Sequence, residues 1–276
     1  MKFIYRTWDA FCRDLSEAGM QSIPACEVTA QNIRYVVLKH DVETCVSHAY
    51  RMAQIEHRYG HRGSYYVQAY LMQKQKNIVL LQEMQRMGHE ISYHHDVMDS
   101  NKGNLDAAVT EFEKNVSLFQ SHGFFIKTVC QHGNPIVERI GYTSNRDFFR
   151  SEKARTMFPS ISDIMVHYHQ NVPTDFLYFS DAGRSFKRIC DPFENDLNNS
   201  DDKNVTYTDL KDLFRGLSQT KGNIISVHPH RWTRFSLAVT AKTMMFRTIR
   251  SAAKFLENVP YFRRIMSKYY YLAKKI

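Results

Sequence analysis

Short apolar runs alternate along the chain with longer segments in which apolar residues recur at helical spacing. The runs are rich in β-branched and aromatic residues and predict seven strands, at residues 35–38, 64–67, 90–92, 126–130, 164–168, 176–179 and 224–227. Strands that alternate with helices are typical of an α/β fold with a mainly parallel sheet. Because all seven strands lie in one continuous domain, the pattern favours a barrel.

Four segments between the strands carry the helical repeat, at residues 46–53, 80–87, 105–119 and 210–217. Asn104 and Thr208 precede the last two of these segments, where N-cap residues are expected. The polar stretch at residues 194–204 predicts a surface loop.

The net charge of +9 is concentrated after residue 233. Ten Lys and Arg residues and one acidic residue lie there, which leaves 27 basic and 27 acidic residues in the rest of the chain. We therefore predict a neutral domain at residues 1–235 and a basic amphipathic helical tail at 236–276. The tail either packs on the domain or makes peripheral contact with an anionic membrane. A neutral domain argues against nucleic acid as a partner.

Cysteine spacing and hydropathy indicate the compartment. The five cysteines form no C-x-x-C pair, so neither a disulfide framework nor a cysteine zinc site is expected. No apolar run is long enough to span a membrane, and charged residues interrupt the N-terminal segment, so no signal peptide is expected. These features predict a cytoplasmic protein, with the tail on the inner face of the membrane.

Histidines and carboxylates follow four of the predicted strands. They are His40, Asp41 and Glu43 after the first strand, His94 and His95 after the third, His132 after the fourth, and His228 after the last. In a parallel barrel the strand ends meet at one face, where active sites are built. Imidazole and carboxylate are ligands of zinc-like ions, which activate water for amide or ester hydrolysis.

Five segments resemble the motifs of the NodB-homology polysaccharide deacetylases, carbohydrate esterase family 4. They are VVLKHDVE (36–43), GHEISYHH (88–95), QHGNP (131–135), YFSDAG (178–183) and SVHPHRW (226–232). The resemblance implies a distorted (β/α)7 TIM-like barrel, here with a basic helical extension. It also implies a divalent metal, usually zinc, and removal of acetyl groups from N- or O-acetylated sugars.

The resemblance assigns roles to several residues. Asp41 aligns with the general base of the family and His228 with the general acid. His94 aligns with the first metal histidine. Val42 occupies the position of the family's metal-binding aspartate, so Glu43 is the carboxylate expected to replace it.

Two further family residues are absent. Met98 stands where the second metal histidine is expected, so a third ligand has to come from His132, His95, Asp96 or Asp99, or the metal site is lost. We take Glu43, His94 and His132 as the predicted set. The arginine of the third motif is replaced by Gln131 and His132.

Trp232, Asp181 and Asn134 are predicted to bind substrate. Trp232 could instead belong to the core, and Asp181 could cap a loop or orient a neighbour. Asp41 and Glu43 could instead cap the helix that follows them, and alternation turns His40 away from Asp41.

The predicted function is metal-dependent deacetylation of sugars during polysaccharide biosynthesis or modification, on lipid-linked or nucleotide-linked substrates. The alternative is an inactive glycan-binding or scaffold protein on the same fold, motivated by Val42 and Met98.

Overall fold

A computed structural model of the chain describes residues 3–134, 137–166, 175–194, 196 and 205–235. Its mixed α/β structure is built on a nine-stranded sheet with the order β5-β4-β3-β2-β1-β9-β6-β7-β8. The strands are β1 (Val36–Val42), β2 (Ser64–Val67), β3 (Glu90–His95), β4 (Thr128–Gln131), β5 (Ser162–Asp163), β6 (Phe176–Ser180), β7 (Phe186–Ile189), β8 (Val205–Tyr207) and β9 (Gly222–Val227). The pairings from β5 across to β6 are parallel, whereas β7 pairs antiparallel with β6 and β8.

Helix α1 precedes the first strand, and the other helices lie in the segments that connect the strands. They are α1 (Tyr5–Glu17), α2 (Val46–Arg58), α3 (Gln75–Arg86), α4 (Val97–Ser100), α5 (Leu105–Ser121), α6 (Asp147–Arg150), α7 (Glu152–Met157) and α8 (Leu210–Arg215). The helices predicted from periodicity correspond to α2, α3, α5 and α8. The Asn104 side chain accepts from the backbone N–H of Ala107, which confirms this N-cap. The cap of α8 is Asp209 rather than Thr208, since Asp209 accepts from the N–H of Asp212.

One predicted strand is shorter than expected, and two strands and one helix were not predicted. The fifth strand comprises only Ser162–Asp163, and residues 164–166 form a turn; residues 167–168 of the predicted strand lie outside the described part. The antiparallel strands β7 and β8 were not predicted. Helix α1 was also missed, although Trp8, Phe11, Cys12 and Leu15 recur at the spacing of one buried helix face.

Strand β1 is buried along its whole length and divides the interior in two. Val37 belongs to an inner cluster with Tyr66, Cys130, Tyr178 and Ile224. Val42 belongs instead to the layer that packs under the helices. Because side chains alternate along a strand, Lys39 and Asp41 lie on the inner face with Val37.

His40 lies on the outer face of the sheet, as alternation predicts. Its Nε2 is 2.9 Å from Glu56 Oε1 of α2, and its ring stacks on Tyr65 with the centroids 4.1 Å apart. Glu56 also accepts from the Trp8 indole, which ties α1 to the sheet. His40 is therefore a core residue, separated from Asp41 by the sheet.

The predicted tail at residues 236–276 lies outside the described residues, as does most of the predicted loop at 194–204. Across the ranges given above, no helix combines the length and the apolar character needed to cross a membrane.

Candidate active site

The carboxyl end of β1 supplies an ion pair on the inner face of the sheet. The Lys39 ammonium donates to both carboxylate oxygens of Asp41 at 2.6 Å, and to the Ser226 hydroxyl on β9 at 3.1 Å. The Lys39 side chain is 2% exposed and that of Asp41 is 9% exposed. Bonds to both oxygens fix the orientation of the Asp41 carboxylate.

The electrostatics of this pair keep both groups charged. Burial is the largest single influence and opposes the charged form of each group, but the attraction between the two groups, together with that of other nearby groups, outweighs it. The pKa of Lys39 is raised well above its ordinary value. The pKa of Asp41 is lowered, with His94 and His228 adding to the effect of Lys39.

Three predicted metal ligands come together where β1, β3 and β4 end. The ligand atoms of Glu43, His94 and His132 all lie within 4.8 Å of one another. His132 Nε2 is 3.3 Å from Glu43 Oε1, and the two imidazole rings are nearly perpendicular with centroids 5.1 Å apart. One carboxylate and two imidazoles form a donor set that suits a divalent ion such as zinc.

The His94 tautomer fits this role. His94 Nδ1 lies 3.0 Å from the carbonyl oxygen of Cys130. A carbonyl only accepts, so Nδ1 carries the proton and Nε2 keeps a free lone pair. Burial, the largest cause, lowers the pKa of His94 to about 3, so the ring is neutral at physiological pH. A buried, neutral imidazole held by a backbone carbonyl is a favourable metal ligand.

Glu43 is ionised at neutral pH. Burial alone would raise its pKa, but the bond to His132 and the nearby His132, His228 and His230 together hold it well below its ordinary value. Neither Glu43 nor Asp41 caps α2, because the cap position is Cys45 and no side chain bonds there. This removes the alternative in which the two carboxylates only begin a helix.

His228 follows β9 and faces both carboxylates. Its Nε2 lies 3.8 Å from Asp41 Oδ2 and 3.7 Å from Glu43 Oε1. Its Nδ1 lies 2.5 Å from Asp181 Oδ1. Arg231 also donates to that Asp181 oxygen, at 2.9 Å. His228 is therefore oriented on one side by Asp181 and presents its other nitrogen to Asp41 and Glu43.

The structure corrects the prediction that Asp181 binds substrate. Asp181 is fully buried, and its carboxylate oxygens accept from the His228 and Arg231 side chains and from the His228 backbone N–H. Burial opposes its ionised form, but Arg231 and His228 lower the pKa of Asp181 well below its ordinary value. Asp181 orients His228, which is the second of the two roles that the sequence left open.

Trp232 is also corrected. It is fully buried and contacts Phe3 and Trp8 edge to face, with centroids 5.3 Å and 5.2 Å apart. A ring enclosed in this way offers no surface to a sugar. Asn134 is half-buried, and its backbone carbonyl accepts from Arg139 at 2.8 Å. The predicted role of its side chain stays a prediction.

Two of the alternative third ligands are occupied elsewhere. His95 Nε2 lies 2.8 Å from Asp163, in a fully buried pair on the outer face. Asp99 accepts two bonds from the Arg139 guanidinium. Met98 is buried in the outer core. Among the candidates for the third ligand, His132 has the position that a shared cation requires.

A second group, Asp41, His94 and Cys130, also has its ligand atoms within 4.8 Å of one another. Burial raises the pKa of the Cys130 thiol well above its ordinary value, so the thiol stays protonated. The Asp41 carboxylate is bonded to Lys39. This group is therefore less suited to a cation than Glu43, His94 and His132.

Sequence reasoning missed two residues that restrain the site. Lys39 pairs with Asp41. Its position two residues before Asp41 on the same strand could have revealed it, because residues two apart share one face of a sheet. The Tyr70 hydroxyl donates to the backbone carbonyl of Glu43 and restrains the segment that carries this ligand.

Comparisons with known proteins give a limited result. No family model and no curated protein matches the chain. Among solved structures, it is similar to the Xyl-CE4 domain of a multidomain xylanase from the hindgut metagenome of Trinervitermes trinervoides. Identity is 14% and the TM-score 0.38, over 81% of this chain and 89% of that chain.

The chain is also similar to a peptidoglycan deacetylase from Bdellovibrio bacteriovorus. In this case identity is 13% and the TM-score 0.33, over 75% of this chain and 48% of that chain. Because both identities and both TM-scores are low, these similarities say nothing about activity, which depends on the side chains of the site.

Proposed function

We propose that the chain is a metal-dependent hydrolase that removes acetyl groups from N- or O-acetylated sugars. The observation that carries the proposal is the convergence of Glu43, His94 and His132 beside Asp41 and His228 on one face of the sheet. It combines a cation site, a base and an acid within a few ångströms, as hydrolysis of an amide or ester requires.

Glu43, His94 and His132 would hold the cation. Bound there, a divalent ion would polarise the acetyl carbonyl and make water more acidic. Asp41, ionised and oriented by Lys39, accepts the proton of the attacking water. The water oxygen bonds to the acetyl carbon, and the bond from that carbon to the sugar nitrogen or oxygen breaks.

His228 completes the reaction as the acid. Its protonated ring gives the Nε2 proton to the departing nitrogen or oxygen, and Asp181 stabilises the imidazolium through Nδ1. The products are acetate and a sugar with a free amine or hydroxyl. The His228 side chain is 12% exposed, so it is not sealed from solvent.

The proposal also covers the fold, the basic tail and the partner of the protein. We propose that the parallel strands form a distorted (β/α)7 barrel within a domain at residues 1–235. The basic residues of 236–276 would bind an anionic membrane from the cytoplasmic side. Acetylated glycan is the proposed partner.

Acetate release from acetylated sugars tests the proposal. The zinc-loaded wild-type protein is expected to release acetate, and Asp41→Asn is expected to lose this activity. The matched control is Asp9→Asn, which alters an exposed ion pair of α1 and should keep full activity. A wild-type protein that binds glycan without releasing acetate would instead support the glycan-binding alternative.

A further inference from the structure

Gln68 is a buried polar residue that the proposed mechanism does not use. It directly follows β2, is 6% exposed, and has an amide nitrogen, Nε2, with no hydrogen-bond partner among the described residues. A buried donor without a partner costs free energy, so a group of this kind calls for an explanation. A ligand that completes its bonding is one such explanation.

The backbone places the Gln68 side chain on the inner face of the sheet. Gln68 has extended dihedral angles, φ −68° and ψ 136°, and its N–H donates to the carbonyl of Val42 at 3.2 Å. The alternation of β2 therefore continues through it. Tyr66, two residues earlier, belongs to the inner cluster, whereas Val67 belongs to the outer core.

The strand register places Gln68 between two proposed metal ligands. Val67 pairs with Val42 on β1 and with Tyr93 on β3. One residue further along these parallel strands, Gln68 lies beside Glu43 on one side and His94 on the other. The unpartnered amide therefore lies in the same row of inner-face residues as the cation site.

We propose that Gln68 binds substrate by donating from Nε2 to the oxygen of the acetyl group. This inference rests on the proposed function for the identity of the ligand. An amide donor suits a carbonyl or carboxylate oxygen, and it is neutral, so it does not repel a cation held by Glu43 and His94. Gln68 would also help select substrates that carry an acyl oxygen.

Gln68→Met tests this inference because methionine has a similar volume and no donor. Binding of ¹³C-labelled acetate to the zinc-loaded protein is measured by NMR, together with the melting temperature and kcat/KM. We expect acetate affinity to fall by about 3- to 10-fold, as for the loss of one hydrogen bond. The melting temperature should stay the same or rise, because an unpartnered buried amide has been removed.

Asn77→Leu is the matched control. Asn77 is a buried amide whose Nδ2 already donates to the Leu71 carbonyl at 2.8 Å. We expect this variant to lose thermal stability while it keeps wild-type acetate affinity. The contrast separates an amide that binds ligand from one that only supports the fold.

Two results would overturn the role of Gln68. One is wild-type acetate affinity and kcat/KM in Gln68→Met. The other is a fall in melting temperature like that of Asn77→Leu. If the wild-type protein binds acetate but has no turnover, the proposed function fails, and acetate affinity alone decides the role of Gln68. If the wild-type protein releases acetate from acetylated sugars but binds no labelled acetate, the proposed function stands and kcat/KM decides: a wild-type kcat/KM in Gln68→Met then overturns the role of Gln68.

Discussion

Replacing Lys39 with methionine should destabilise the protein strongly. In the wild-type protein, the ammonium bonds both oxygens of Asp41 at 2.6 Å, and both side chains are almost wholly buried. Methionine fills a similar volume but carries no charge. Lys39→Met therefore leaves the Asp41 carboxylate in the interior without its main counter-ion.

The expected loss of stability follows from this burial. Removing one partner of a buried ion pair costs about 3–5 kcal/mol, because the remaining charge is uncompensated. In a chain of this size we expect the melting temperature to fall by about 10 °C. Replacing both partners removes the buried charge, so Lys39→Met/Asp41→Asn should recover much of the loss.

Urea unfolding at a series of pH values measures the effect and its sign. The folded-state pKa of Asp41 lies below the ordinary value of 3.8, so its contribution to stability is present above that pH and lost as the pH falls through the folded pKa. The folded-state pKa of Lys39 lies above 10.5, so its contribution is present below that pH and lost as the pH rises through the folded pKa. The loss of unfolding free energy in Lys39→Met should therefore be largest between pH 3.8 and pH 10.5, and it should become smaller in acid.

Lys153→Met is the control for loss of an ammonium. Lys153 pairs with Asp106 on the surface, where both side chains are well exposed, and such pairs contribute little. The reasoning is refuted if Lys39→Met unfolds at the wild-type urea concentration at pH 7. It is also refuted if the double variant is no more stable than Lys39→Met.

Three further predictions concern single residues. Glu43→Gln or His94→Ala should weaken zinc binding by about 100-fold or more in a calorimetric titration, since changes even in the groups around metal ligands cost ~10–100-fold; unchanged affinity would place the metal elsewhere. Asp181→Asn should lower kcat about 100-fold with little change in KM, because His228 loses its orienting partner; a wild-type kcat would show that Asp181 has no such role. Trp232→Phe should cost about 1–3 kcal/mol of stability and leave KM unchanged, whereas a raised KM in fully folded protein would return Trp232 to the site.

The residues that form the site could be predicted because the pattern that reveals the strands is local. Period-two alternation and strand ends identify Asp41, Glu43, His94, His132 and His228 in sequence. A parallel sheet then brings strand ends to one face. Their convergence therefore follows from the fold class, with no knowledge of individual contacts.

The partners of these residues could not be predicted in the same way. The Asp181–His228 contact depends on the register in which Ser180 of β6 pairs with Ser226 of β9. A one-residue shift in that register would move every following side chain to the other face. The bond from Lys39 to Ser226 likewise depends on the pairing of β1 with β9.

Burial of Trp232 depends on its packing against helix α1, which was not predicted from the sequence. Trp232 ends the segment SVHPHRW (226–232), and its flat apolar ring could pack on a sugar, so the sequence predicts that it binds substrate. In the fold it packs on Trp8 of α1, which comes from the other end of the domain. Contacts between distant segments of this kind are set by the tertiary structure and leave no local pattern.

Anomalous diffraction from crystals grown with zinc, recorded at the zinc edge, tests the proposed metal centre most directly. We predict one strong peak bounded by Glu43, His94 and His132, on the side of the cluster that faces His228. Crystals with no peak between these three residues, taken from protein that releases acetate, would contradict the proposed site and the mechanism built on it.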